Sequence, residues 1–252
     1  MKAMHLQSAI AMAFAIAMAG CVSAKKQHQS TSRTELGSAY LREGNGAAAV
    51  GVLEEAVQLD RRNWQAWDKL GLAYFAQGAP EKSEEAFKKG LSLAPEKAEI
   101  NNNYGLILVK MDRIPEAIER FEVGSKDITY RQPALVLSNL GYALHLDGQH
   151  TKAILVLDVA IQRSPKLCQA RYHRGLAREA VDRPDKALLD YKVVIEVCGK
   201  NAPGAYFYAA KLLLDSGDRE GACHYLASAT ASNSESLVGD AAIELANAEC
   251  RQ

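Results

Sequence analysis

Thiols and imidazoles are the side chains of this chain with chemistry to offer, and their spacing decides what that chemistry is. His28, His145, His150, His173 and His224 follow the first 20 residues. No two of them stand at the spacing of a metal-binding helix such as H-E-x-x-H, and no C-x-x-C occurs. Cys223 and His224 are neighbours, but successive residues on a helix point about 100° apart, so they form no pair of nucleophile and base. A nucleophile elbow, a phosphate-binding glycine loop and a dinucleotide fingerprint are also missing from the sequence. Catalysis therefore has no residues to rest on, and no metal, cofactor or small-molecule substrate is expected. The histidines read as structural or surface groups. One thiol stands in a different context. Cys21 closes the stretch Met18-Ala19-Gly20-Cys21, directly after an apolar run from Ala9 to Ala19. That run is well short of the roughly 20 residues that cross a bilayer. With Lys2 ahead of it and small residues behind it, the run reads as a secretory signal peptide over residues 1–20.

The four residues ending at Cys21 resemble a bacterial lipobox. The resemblance implies cleavage before Cys21 and acyl chains, palmitate among them, on the new N-terminal cysteine; Gly20 supplies the small residue such a cut requires. Val22 and Ser23 follow in place of an aspartate, which implies the periplasmic face of the outer membrane as the destination. Each buried methylene contributes about 0.8 kcal/mol, so several chains hold a protein firmly where one binds reversibly. An ordinary cleaved signal and an N-terminal anchor are the alternatives. Residues 21–31 are polar, lack periodicity and read as a flexible tether carrying the lipid. Thirty basic residues balance 30 acidic ones, so no electrostatic attraction to nucleic acid is expected.

The elements that position everything else come from an internal repeat. Trp67, Leu70, Gly71, Tyr74, Phe87 and Pro95 stand at the intervals of the tetratricopeptide repeat (TPR), a 34-residue helix hairpin. Ser83 and Gly90 replace its usual alanines and are likewise small. The register extends backwards to Leu36, Gly37 and Tyr40, and forwards through Tyr104 and Gly105. After two inserted residues near Gln132 and Pro133 it resumes at Leu140 and Gly141, and it continues to Gly175, Ala187 and Tyr191. A slip of one residue then brings Ala210, Ala222 and Leu226 into frame. The expectation is an all-α TPR solenoid, a right-handed superhelix over residues 32–252. Its repeats fall at about 30–63, 64–97, 98–131, 134–167, 168–201 and 203–236, with a capping helix at 237–250. Small residues at the eighth and twentieth slots let the two helices of a pair approach, and neighbouring pairs bury what one pair alone cannot.

This frame brings cysteines together. Cys168 opens the first helix of repeat five and Cys198 ends its antiparallel second helix; Cys223 lies early in the second helix of repeat six and Cys250 ends the capping helix. Bridges 168–198 and 223–250 are expected, each closing a loop worth roughly 3 kcal/mol on the chain-entropy account. Four unpaired thiols are the alternative.

A stack of helix pairs presents one face of its first helices as a concave surface. The slots that resemble the family's groove positions hold Leu72, Phe75, Asn102, Leu106, Val109, Leu135, Ser138, Tyr142, His145, Tyr172 and Leu176, with Phe207 and Lys211 in repeat six. The stripe is apolar and reads as a protein-binding groove for an extended or helical segment. Burial of these side chains as ordinary core, or cover by the capping helix or tether, is the competing reading. The lysine and asparagine set with which some such domains clamp a C-terminal carboxylate is not seen.

The stretch from Ile100 to Leu144, with its Asn-Tyr-Gly opening and the inserted residues before Asn-Leu-Gly, is similar to the third and fourth repeats of the type IV pilus pilotin lipoproteins, the PilF/PilW/Tgl type. The resemblance extends to six repeats behind a lipidated cysteine. It implies an outer-membrane scaffold, not an enzyme, that binds a secretin-type channel protein and helps it localise and form its multimer for pilus biogenesis and motility. A TPR lipoprotein of the tight-adherence (Tad/Flp) pilus or another envelope machine is the second reading. A periplasmic enzyme is the third.

Overall fold

The structure is a computed structural model and describes residues 23–232 and 237–250. The signal peptide, Cys21 and the residues joining the last two helices lie outside the described residues. The chain divides into two compact units, residues 1–107 and 108–252.

The first unit holds α1 (residues 23–42), α2 (Gly46–Leu59), α3 (Trp64–Ala76) and α4 (Pro80–Leu93), and α5 (Ala98–Lys110) falls at the division. Asn45 and Asn63 cap α2 and α3, each accepting a backbone N–H three residues on at 3.1 Å. α4 has no such cap and begins with Pro80, whose missing N–H costs nothing in a first turn. The pairs nest as the spacing requires. A Cβ on Gly71 would lie 2.7 Å from the buried Phe87 ring, so only glycine lets α3 and α4 approach this closely. The departures from the repeat pattern have local reasons. Ser83 Oγ donates to the Gly71 carbonyl at 2.7 Å, satisfying the hydroxyl buried where alanine is usual. Gly90 makes room for Ile100, which a Cβ there would strike.

Helix α1 corrects the expectation of a tether. The chain is helical from residue 23, not only from about 32. Ser30 is fully buried and donates to the Ala56 carbonyl at 2.8 Å, while Asn63 Nδ2 donates to Ser30 Oγ at 2.9 Å and to Thr34 Oγ1 at 3.2 Å. Hydroxyls docked on α2 and on the α2–α3 connection therefore seat this helix, and hydrophobic periodicity misses them. Residues 23–29 are exposed turns of the same helix.

The second unit holds α6 (Ile114–Gly124), α7 (Pro133–Leu146), α8 (His150–Arg163), α9 (Cys168–Glu179), α10 (Pro184–Cys198), a short 3-10 turn, α11 (Pro203–Asp215), α12 (Arg219–Ser232) and α13 (Leu237–Glu249). The insertion near Gln132 lengthens the α6–α7 connection, and Asp127 organises it by accepting from the Thr129 N–H at 2.9 Å. Left-handed turns separate paired helices: Gly148 and Gly217 have φ of 78° and 87°, and Asp182 takes the same conformation at 55°. The nesting seen in the first unit recurs, with Gly141 against Leu157 and Gly175 against Tyr191. Among the described residues every regular element is helical, so the all-α TPR expectation holds.

Cys168 and Cys198 are bonded with their Cα atoms 6.6 Å apart, and Cys223 and Cys250 with theirs 5.6 Å apart. The first bridge ties the ends of α9 and α10. The second fastens the end of α13 to the early turns of α12.

Candidate functional site

The open apolar face of the second unit is built from α7, α9 and α11. The alternation of large and small residues along these helices sends Ala170, Gly175 and Ala177 into the pair contacts and leaves Tyr172 and Leu176 half-buried on the other side. The aromatic rings form a continuous row. Tyr142 stacks on His173 at 4.4 Å between centroids, His173 tilts against Tyr172 at 5.9 Å, and Tyr172 meets Tyr208 edge-on at 6.1 Å. Phe207 adjoins Tyr208 at 5.3 Å, and Lys211 Nζ sits 5.6 Å above the Tyr208 ring. Tyr191 closes the row from behind, 6.0 Å from Tyr172 and 5.9 Å from Tyr208. Offset and edge-to-face pairs of this kind each add about 0.5–1.5 kcal/mol beyond burial, so the row is a stiff surface.

Its polar groups are held neutral or paired. His173 is buried, and burial lowers its pKa from the usual imidazole value to about 4, against a contact of its Nδ1 with the Ser138 carbonyl at 3.3 Å that works the other way. Tyr191 donates to Glu179; burial first, and then that carboxylate, push the phenol far above its ordinary range. Burial raises the Glu179 carboxyl as well, with the Tyr191 bond and the Lys211 charge acting against it. Tyr172 is raised by burial first and then by Tyr208 and Tyr142. The row therefore presents aromatic surface, with Lys211 exposed at its edge.

Beneath it lies an ion network. Asp190, 3% exposed in its side chain, accepts from Arg174 at 2.5 Å and from Arg178 at 2.8 Å, and Arg174 also reaches Asp158 at 2.6 Å. The network fastens α9 to α10 and α8, which fixes the helix carrying Tyr172.

Of the expected groove residues, Val109, Leu135, Tyr142, His145, Tyr172, Leu176 and Phe207 are half-buried in the second unit and Lys211 is exposed. In the first unit Leu72 and Phe75 are half-buried and Leu106 is 37% exposed. Two assignments are corrected. Ser138 is wholly buried beside His173, and Asn102 is 5% exposed, so neither lines an open face. Ser138 faces the neighbouring helix, its hydroxyl 3.5 Å from His173 Nδ1 on α9, and Asn102 points into the packed side of α5. Part of the competing reading also holds, because α13 walls one side of Phe207 and Lys211. Those two residues, with Leu214, Leu245 and Ala248, line an open cleft of about 760 Å³.

Sequence reasoning missed His173, Tyr191 and Tyr208. The signal was available, since His173 and Tyr208 each follow a groove slot, in the pairs Tyr172-His173 and Phe207-Tyr208. Among the described residues no group of three or more His, Cys, Asp or Glu side chains is placed to hold a metal ion.

A family profile for the tetratricopeptide repeat matches residues 34–98 and 69–124. The type IV pilus assembly protein PilF of Pseudomonas aeruginosa is 27% identical over 148 residues, which cover 55% of this chain and 59% of that protein. The chain thus matches somewhat under two thirds of that relative's length. Among solved structures, PilW, described as a widely conserved type IV pilus biogenesis factor, superposes with a TM-score of 0.76 at 24% identity, over 85% of this chain and 98% of PilW. Pseudomonas aeruginosa PilF superposes with a TM-score of 0.75 at 21% identity, over 86% of this chain and 97% of PilF. The chain carries tetratricopeptide repeats, is similar in sequence to PilF at modest identity, and shares its fold with both solved structures.

Proposed function

We propose that this protein is an outer-membrane lipoprotein scaffold, a pilotin, acting in type IV pilus biogenesis. It binds a secretin subunit on the aromatic face of the second unit and promotes that subunit's localisation and multimer assembly. The aromatic row from Tyr142 to Tyr208 supports this reading most directly, because a stiff apolar strip on the inner helices is suited to side chains at alternating or i, i+3, i+4 positions of a partner segment. Such aromatic anchors carry much of the energy in protein interfaces. The likeness to PilF supports the pilus assignment.

The mechanism needs no bond chemistry. Acyl chains on Cys21 hold the scaffold at the periplasmic face of the outer membrane, and the aromatic face holds the secretin. Tying both to one surface makes the encounters between secretin subunits effectively intramolecular, raising their local concentration. The disulfides and the Asp190 network keep the face rigid, so little ordering entropy is spent on binding.

The test replaces Cys21 by alanine and, separately, Tyr142 by aspartate in cells carrying the secretin, and measures secretin multimers on a gel. Loss of multimers from the outer membrane in both supports the proposal. Wild-type amounts in both show that the protein is not a pilotin.

A further inference from the structure

At the turn joining α7 to α8, two imidazoles converge. His145 lies in the last turn of α7 and His150 opens α8; their Nδ1 atoms are 3.2 Å apart and their ring planes are inclined by 49°. The turn that holds them is closed by backbone bonds. Gly148 N donates to the His145 carbonyl at 3.1 Å and Gln149 N to the Leu144 carbonyl at 2.9 Å, with Gly148 in the left-handed conformation at φ 78°. The turn therefore fixes the two backbone positions from which the rings meet.

The separation is that of two ligands on one ion. A zinc–imidazole bond is about 2.0–2.1 Å, so two nitrogens at a tetrahedral angle stand about 3.3 Å apart. A square-planar ion brings them to about 2.9 Å, and the observed distance lies between the two. Both rings are half-buried, which leaves water access for the remaining coordination positions. The turn's carboxylate, Asp147, is engaged elsewhere, accepting from Gln149 Nε2 at 2.6 Å. Without an ion, one ring carries its proton on Nδ1 and donates it to the other Nδ1; with an ion bound, that ring takes the Nε2–H tautomer, so both Nδ1 lone pairs face the metal with no net change in protons.

We propose that His145 and His150 form a two-imidazole site for a transition-metal dication of the Zn²⁺, Ni²⁺ or Cu²⁺ class, with water completing the coordination. The site rests on the geometry of this turn; His145 is also one of the groove positions, and metal binding is measured without the partner proposed above.

The experiment titrates the purified protein, disulfides intact, with CuCl₂, NiCl₂ or ZnCl₂ at pH 7.5 by calorimetry. His145→Ala, His150→Ala and His150→Gln are compared with His28→Ala and His224→Ala, and circular dichroism verifies the fold of each. The expected result is one equivalent of metal, bound in the order Cu²⁺ over Ni²⁺ and Zn²⁺. Binding weakens at least about tenfold in each of the first three variants and is unchanged in the other two. Equal binding by wild type and by folded His150→Gln overturns the proposal. So does loss of binding in His28→Ala or His224→Ala alone.

Discussion

Replacing Gly175 by alanine tests the nesting of the repeats where it supports the aromatic face. A Cβ at residue 175 would overlap the Tyr191 ring, meeting Cζ at 2.8 Å and Cδ1 at 3.0 Å. That ring has nowhere to go: Tyr191 is fully buried, bonded to Glu179, and flanked by Tyr172 and Tyr208. Overpacking of a fixed core costs about 1–3 kcal/mol, and the gain in helix propensity from glycine to alanine returns up to about 1 kcal/mol. The net loss is about 0–2 kcal/mol, which for a chain of this size lowers Tm by up to about 4–8 °C. Gly51 is the control, since a Cβ there has nothing within 4 Å. Gly51→Ala should raise Tm by about 1–3 °C through propensity alone. Thermal unfolding followed by circular dichroism reads both. Shortening the opposing side chain in Gly175→Ala/Tyr191→Leu should show a favourable coupling of at least about 0.5 kcal/mol. Stabilisation by Gly175→Ala similar to that of Gly51→Ala would refute the claim that Tyr191 locks α9 to α10.

Other expectations follow from the same contacts. Asp190→Ala leaves Arg174 with Asp158 alone and Arg178 with the Lys186 carbonyl and should cost about 1–3 kcal/mol in urea unfolding, whereas Glu116→Ala, which breaks an exposed pair with Arg113, should cost under about 1 kcal/mol. His173 titrates near 4 when folded and near 6.5 when unfolded, so the unfolded chain binds the extra proton between these values. Stability should thus fall as pH drops from about 6.5 to about 4, by about 3 kcal/mol from this group. His173→Phe, which keeps a ring beside Tyr142, should flatten that slope relative to wild type, and an unchanged slope would contradict the assignment. Thiol titration of the denatured, unreduced protein should find none of Cys168, Cys198, Cys223 and Cys250 reactive; four reactive sulfurs would exclude both bridges.

The helix pairs were legible in the sequence because the repeat states the packing residue by residue: Gly71 opposite Phe87 and Gly175 opposite Tyr191 are one contact written twice. Slots also predicted which ends meet, which is why the pairing of Cys168 with Cys198 could be anticipated. What the period does not encode is polar. Ser30 and Thr34 seat α1 through hydroxyls that leave no hydrophobic pattern, so its first turns read as a tether. Asp68 and Asp190 look like surface acids, yet both are buried. Asp68 meets Lys69 and Asn103 at 2.9 Å each, and Asp190 meets its two arginines. The groove slots found Tyr142 and Tyr172 but admitted Asn102 and Ser138, because a slot fixes direction along a helix and not how closely the next helix approaches. His173 and Tyr208 lie one slot further on and enter the row through ring contacts that only the fold reveals.

Direct binding separates the aromatic face from the rest of the molecule. Purified wild-type protein, a Tyr142→Asp/Tyr208→Asp variant and the outer-face variant Leu189→Asp are each titrated with soluble secretin segments, their folds checked by circular dichroism. The proposed scaffold binds one segment, loses at least about tenfold in affinity in the double variant, and is unaffected at Leu189, which is 63% exposed on α10. Equal affinity for all three proteins, or a loss confined to Leu189→Asp, contradicts docking on the aromatic face.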